Sequence, residues 1–313
     1  MGKPGWNWPS SCARTTAAWP SADSPSSRLA RTAVQTGTNE RPGLPIALVI
    51  GGGGMGMSTA RRLGQSHRVV LASQSAGKNA DREAALREDG IDAVAVQFDV
   101  TDAGSVAGLA EFVAQRGQLR TLAHVAGLSP SMGDWHQIFG VNLIGTALME
   151  RACLELAVQG TAAVFVSSSA GHLFEYPAAD IVAVLDDPLA PGFFDRLDEV
   201  IAKEEQTSLQ AYRLSKWALN RMCRRRAGAW GAKGARIVSM SPGPIATPMG
   251  AKELDGPSRE VKLNLMQQLP IAREGTMVET ADAIEFLASD RASYITGTDL
   301  LVDGGIVAAT RPA

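Results

Sequence analysis

The stretch Ile46-Ala47-Leu48-Val49-Ile50-Gly51-Gly52-Gly53-Gly54-Met55-Gly56-Met57-Ser58 decides the fold. Five consecutive apolar residues without alternation describe a strand buried on both faces, as inside a parallel sheet. The run passes straight into glycines and then into a helical stretch through Arg61 and Leu63. Gly51, Gly53 and Gly56 satisfy G-x-G-x-x-G, a tight turn that brings backbone N–H groups at a helix N-terminus up to a pyrophosphate. The match is weak alone. It gains weight as the first strand-to-helix turn of an alternating chain.

Working outward, further short Val/Ile/Ala-rich runs occupy 69–72, 93–97, 121–125, 162–166, 237–240 and 300–302, each read as a buried strand. Helix-length segments lie between them at 81–89, 105–116, 136–158 and 209–230. This alternation predicts a doubly wound parallel sheet with helices on both faces, a three-layer α/β/α single domain.

Before residue 45 the pattern is absent. Residues 1–44 are rich in Ser, Thr, Ala, Pro and Gly and break every candidate amphipathic window with prolines, so a disordered N-terminal extension or a start assigned too early is expected there ahead of a targeting peptide, and the fold over 45–313. The tail holds five basic residues against two acids, leaving the remainder at −5 where the whole chain of 313 residues is −2. An acidic fold offers no electrostatic footprint for nucleic acid. No apolar run approaches the roughly 20 residues of a membrane span. Cys12, Cys153 and Cys223 are odd in number and widely spaced, which points to a reducing, cytoplasmic setting.

Tyr212 and Lys216 stand one helical turn apart on one face of the 209–230 helix. An unperturbed phenol titrates near 10, too high for ready proton transfer at neutral pH, and a cation one turn away favours phenolate. Upstream, a strand ends in Val166-Ser167-Ser168-Ser169-Ala170-Gly171. Downstream come Ser241-Pro242-Gly243-Pro244-Ile245-Ala246-Thr247-Pro248-Met249 and Tyr294-Ile295-Thr296-Gly297-Thr298-Asp299-Leu300-Leu301-Val302-Asp303-Gly304-Gly305.

In this order the motifs resemble the short-chain dehydrogenase/reductase family, over residues 45–305. The resemblance implies a Rossmann fold, an NAD(P) cofactor, a small-molecule alcohol or ketone substrate and a homodimer or homotetramer. It implies a catalytic set of Ser168, Tyr212, Lys216 and Asn142, with Ser168 preferred to its neighbours for its Ser-x-x-Gly spacing to Gly171. It implies cofactor contacts from Gly51, Gly52, Gly56 and Met57 in the glycine loop, Asp99 and Val100 at the adenine, and the small pair Ala126 and Gly127. Tyr212 and Lys216 would meet the nicotinamide ribose, and Pro242, Gly243 and Thr247 the carboxamide. Ser58 stands where a third glycine is usual. His124 stands where Asn is common, a departure that bears on local strand stability rather than on chemistry.

An acid for the ribose 2′-hydroxyl is expected about 20 residues after the glycines. Leu71-Ala72-Ser73-Gln74-Ser75 offers none, and Ser73 is free to bond a 2′-phosphate, which favours NADP(H). No Arg adjoins Ser73 in sequence, and Lys78 is the nearest cation.

The interval from Ser168 to Tyr212 is long and holds an insertion at about 172–207, with an amphipathic helix over 193–201. In outline this is similar to the bacterial 3α-hydroxysteroid dehydrogenase/carbonyl reductase branch, which implies an apolar substrate. The alternatives are a 3-oxoacyl-carrier-protein reductase and a nucleotide-binding regulator without turnover. The four histidines share no ligand spacing with Cys or carboxylates, so no metal is expected. Arg221 and Arg224-Arg225-Arg226 read as a solvated helix face, and Cys153 and Cys223 as small core residues.

Overall fold

The computed structural model describes residues 43–247, 263–264 and 266–310; the expected tail up to residue 42 lies outside them. The described strands are β1 (Ile46–Ile50), β2 (Arg68–Ser73), β3 (Ala93–Gln97), β4 (Leu119–His124), β5 (Ala162–Val166), β6 (Arg236–Pro242), β7 (Ile245–Ala246), β8 (Gly275–Thr276) and β9 (Asp299–Val302). Seven form one parallel sheet in the order β3-β2-β1-β4-β5-β6-β9, and β7 pairs with β8. Every strand read from the sequence is present. The reading of 300–302 as a buried strand needs correction: β9 lies at the sheet edge, with Leu300 and Leu301 more than a third exposed. A continuous apolar run reports side-chain type and not lateral position in a sheet.

The helices are α1 (Gly54–Leu63), α2 (Ala76–Glu88), α3 (Ala103–Ala114), α4 (Trp135–Phe139), α5 (Thr146–Leu156), α6 (Ala179–Leu185), α7 (Phe193–Val200), α8 (Ser208–Gly231), α9 (Met277–Ala288) and α10 (Ile306–Thr310). The single helix expected over 136–158 is divided, because a π-helical turn, Gly140–Gly145, separates α4 from α5. Helix α9 was not read from the sequence, although Thr276 and Glu279 form a capping box that marks its start.

Alternate β1 residues explain the double winding. Ile46, Leu48 and Ile50 join one core with Val106, Met149 and Trp230 of α3, α5 and α8. Ala47 and Val49 join another with Leu63 of α1 and Ile284 and Leu287 of α9. Register then levels the strand ends, since Ile50 pairs with both Ala72 and His124. The turns that follow β1, β2 and β4 therefore leave the sheet at the same height. No helix among the described residues is long and apolar enough to cross a membrane.

Candidate active site

From β1 the chain winds outward to β2 and β3, then returns to β4 on the other side of β1. The turns after β1 and β4 diverge and leave a crevice at the strands' C-terminal ends. Gly51 turns there with φ of 112°, a left-handed conformation that favours glycine. A Cβ on Gly51 would sit 2.9 Å from the Ala126 nitrogen, and one on Gly56 would run into the Gly51 carbonyl oxygen. Helix α1 opens at Gly53 with no side-chain cap and no acid in its first turn. Its first N–H groups, Met57 close behind them, are thus left for an anion at the positive end of the helix. These features fit the diphosphate of a dinucleotide.

Next to the crevice, Asn142 is buried in the π turn. Its Oδ1 accepts from the Leu128 N–H at 2.8 Å and its Nδ2 donates to the Leu128 carbonyl at 3.0 Å. The buried Lys216 Nζ donates to the Val166 carbonyl at 3.0 Å. A Cβ on Gly127 would lie 3.2 Å from Asn142 Oδ1 and 3.3 Å from Lys216 Nζ, so amide and ammonium converge on that glycine. Burial pulls the Lys216 ammonium down to about 8.

Ser168 opens a 3₁₀ turn, Ser169–Gly171, and its Oγ accepts from the Ala170 N–H at 3.2 Å. That turn is fastened to α8: Ser167 Oγ donates to the Lys216 carbonyl at 2.9 Å, and a Cβ on Gly171 would meet the Lys216 backbone at 2.9 Å. Tyr212 lies one turn earlier on α8, half-buried, with Lys216 Nζ 5.9 Å from its ring centroid. Its ring packs against a third apolar cluster that includes Phe139, Leu143, Phe193 and Leu197.

At the crevice's far end, Thr101 and Gln74 bond the Asp99 carboxylate, and the Thr101 bonds hold it below the usual range. Val100 is buried with its carbonyl against Gly145. The surroundings of Ser73 correct the expectation that Lys78 is the nearest cation. Arg82 Nη1 donates to Ser73 Oγ at 2.7 Å, while Lys78 is exposed and takes no part. Helix α2 starts at Ala76, earlier than the expected 81, and that first turn brings Asn79 and Arg82 round to Ser73.

On the other flank, the Gly243 N–H donates to the Val302 carbonyl at 3.1 Å, which pins the Pro242-Gly243 turn to the end of β9; Thr247 follows β7. His172, just past the Ser168 turn, reaches Asp299 of β9 at 2.9 Å. The arginine run is a solvated face only in part: Arg224 is exposed, whereas its neighbours have carboxylate partners. Arg221 and Arg225 clasp Asp186 at the end of α6, and Arg226 bonds the buried Glu150. The insertion thereby forms α6 and α7, held on α8 by charge and on α4 and α8 by apolar packing. Among the described residues no group of three or more His, Cys, Asp or Glu could hold a metal ion.

Residues 45–179 match the family model described as short chain dehydrogenase, and 197–307 the one described as enoyl-(acyl carrier protein) reductase. A short-chain dehydrogenase/reductase of Alternaria brassicicola is 32% identical over 83% of this chain and 95% of that relative. Cis-4-hydroxycyclohexanecarboxylate dehydrogenase of Sinomonas cyclohexanicum is 28% identical over 84% of this chain and 96% of its own length. Among solved structures, a short-chain type dehydrogenase/reductase from Mycobacterium ulcerans has a TM-score of 0.69 at 23% identity, covering 84% of this chain and 90% of that one. An actinorhodin polyketide ketoreductase variant with NADPH has a TM-score of 0.66 at 21% identity, covering 84% and 97%. Both likenesses bear on the fold. With both halves of its sheet matched by family models and a relative aligned nearly end to end, the chain belongs to the short-chain dehydrogenase/reductase family, NAD(P)-dependent oxidoreductases of alcohols and ketones.

Proposed function

We propose that this protein interconverts an apolar, cyclic secondary alcohol and its ketone, with Tyr212 as general acid and base. The observation that carries the reading is the convergence of Lys216 Nζ and Asn142 Oδ1 on Gly127, beside a Ser168 turn fastened to the Lys216 backbone. When bound, the nicotinamide supplies or takes the hydride. The residues of the chain handle the proton. Tyr212 gives its phenol proton to the substrate oxygen in reduction and takes it back in oxidation. A buried cation one turn away favours the phenolate and brings that proton within reach of neutral pH. Ser168 donates to the same oxygen and holds it against Tyr212. Asn142, clasping Leu128, supports the relay of the proton past Lys216.

The glycine loop (Gly51, Gly52, Gly56, Met57) receives the diphosphate, and Asp99 and Val100 receive the adenine. Ala126, Gly127, Tyr212 and Lys216 meet the nicotinamide ribose, and Pro242, Gly243 and Thr247 the carboxamide. The apolar substrate class rests on the apolar cluster that Tyr212 joins, whose members Leu128 and Phe174 are only partly buried. A relative named for a cis-4-hydroxycyclohexanecarboxylate substrate supports the cyclic class, though that substrate also carries a carboxylate. A 3-oxoacyl-carrier-protein reductase is the second reading; the C-terminal family model, described as enoyl-(acyl carrier protein) reductase, shares with it only the carrier-bound acyl substrate. A regulator without turnover could use Lys216 to hold the ribose but would have no need of the phenol as a proton donor. Unpaired Cys153 and Cys223 support a reducing, cytoplasmic setting, and the exposed leucines of β9 support a homodimer or homotetramer.

Tyr212→Phe should lower turnover of cyclic ketones by roughly 10²- to 10⁴-fold, with dinucleotide affinity by calorimetry falling by no more than the roughly tenfold of one neutral hydrogen bond. Undiminished turnover overturns the assignment, and turnover confined to acyl thioesters favours the second reading.

A further inference from the structure

Arg82 has no carboxylate partner among the described residues. Its Nη1 is held by two neutral oxygens, Ser73 Oγ at 2.7 Å and Asn79 Oδ1 at 3.0 Å. Asn79 is buried and cannot swing away, because its Nδ2 donates to the carbonyls of Ser73 at 3.2 Å and Val96 at 3.0 Å. The Ser73 hydroxyl in turn donates to Asn79 Oδ1 at 2.6 Å. Three side chains thus form one hydrogen-bonded unit whose only charge is the guanidinium.

The glycine loop fixes that guanidinium from the other side. A Cβ on Gly52 would lie 2.6 Å from Arg82 Cζ, 2.7 Å from Nη1 and 2.8 Å from Nε. The planar group therefore lies against a glycine, between the first turn of the fold and the end of β2. A partly exposed arginine satisfied only by neutral acceptors is a preformed anion site, and its fork suits a phosphate. Of the two nicotinamide dinucleotides, only the 2′-phosphorylated one would bring a second such anion to this region. The diphosphate belongs to the N-terminus of α1, whereas the end of β2 is where the adenosine ribose hydroxyls lie.

We propose that Arg82, steadied by Ser73 and Asn79, binds the 2′-phosphate of NADP(H) and sets the preference for it over NAD(H). The proposal rests on the nicotinamide-cofactor reading, and it puts the determinant on α2 rather than beside the strand end. The full-length protein is titrated calorimetrically with NADPH, NADH, adenosine 2′,5′-bisphosphate and adenosine 5′-monophosphate. Wild type should prefer the 2′-phosphorylated member of each pair. Arg82→Ala should weaken NADPH and the bisphosphate by about 10- to 100-fold, the span of one or two charge-assisted bonds. NADH and the monophosphate should bind the variant unchanged, which also reports that it is folded. Ser73→Asp should pair with Arg82, repel the 2′-phosphate and reverse the preference. Equal losses for both members of a pair would assign Arg82 to the diphosphate and overturn the proposal, as would a wild type without preference. The two fragments carry no nicotinamide, so their binding tests Arg82 whatever becomes of Tyr212.

Discussion

His124 is fully buried in β4, stacked on Phe165 with ring centroids 5.5 Å apart, and neither ring nitrogen has a hydrogen-bond partner. Burial and the neighbouring Lys216 charge pull its pKa from 6.5 down to about 3. The folded protein therefore binds fewer protons than the unfolded chain below about pH 6.5. Stability from this group is complete above that pH and falls as the pH drops toward 3, by up to ~1.4 kcal/mol per pH unit. His124→Leu nearly conserves volume and removes two unpaired polar atoms, so it should be close to neutral at pH 7.5. It should also shrink the fall in Tm between pH 7.5 and pH 5; an undiminished fall in thermal scans refutes this account. At this scale Ser168, Tyr212, Lys216 and Asn142 could be picked out as candidates because each sits in a local motif with fixed spacing. Arg82 could not be: its role depends on where α2 starts and on the absence of a side chain at Gly52, 30 positions earlier.

Helix α8 carries Tyr212 and Lys216 on one side and arginines on another. The arginines hold the insertion: Asp186 accepts from Arg221 Nε at 2.7 Å and Nη2 at 2.9 Å, and from Arg225 Nη1 at 2.9 Å. These groups are partly exposed, so Asp186→Ala should cost about 1 kcal/mol in denaturant melts. Hydrogen exchange should quicken over 179–200 and stay slow at β5 and β6. Equal quickening everywhere would mean that the clasp is not local. The seven strands of the main sheet were legible as elements because each is a short apolar run bounded by turns. The interruption at Gly140–Gly145 was not, since a π turn keeps the helical apolar pattern and shows itself only in backbone bonding. The arginine clasp was equally hidden, because a charge run on a helix looks the same whether it meets water or a carboxylate from a distant segment.

Across the whole sheet, the two edges are treated differently. At β3, Glu83 Oε2 accepts from the Ala95 N–H at 2.8 Å and Arg87 Nε donates to the Ala93 carbonyl at 3.0 Å, so side chains occupy backbone groups that another strand would use. At β9, Leu300 and Leu301 are exposed, Tyr294 is fully so, and no described strand pairs with the outer side. Leu300→Lys with Leu301→Lys should therefore shift sedimentation toward monomer, and an unchanged coefficient would exclude this edge from the subunit contact. Glu83→Ala with Arg87→Ala should instead raise light scattering, by freeing the opposite edge for unplanned pairing. The doubly wound architecture could be read from the alternation of elements; which edge is guarded could not, because guarding is done by side chains of a neighbouring helix. The asymmetry also limits growth. Copies joined rim to rim through β9 about a twofold axis would present only their guarded β3 rims outward, so strand pairing would end at two sheets rather than propagate into a filament.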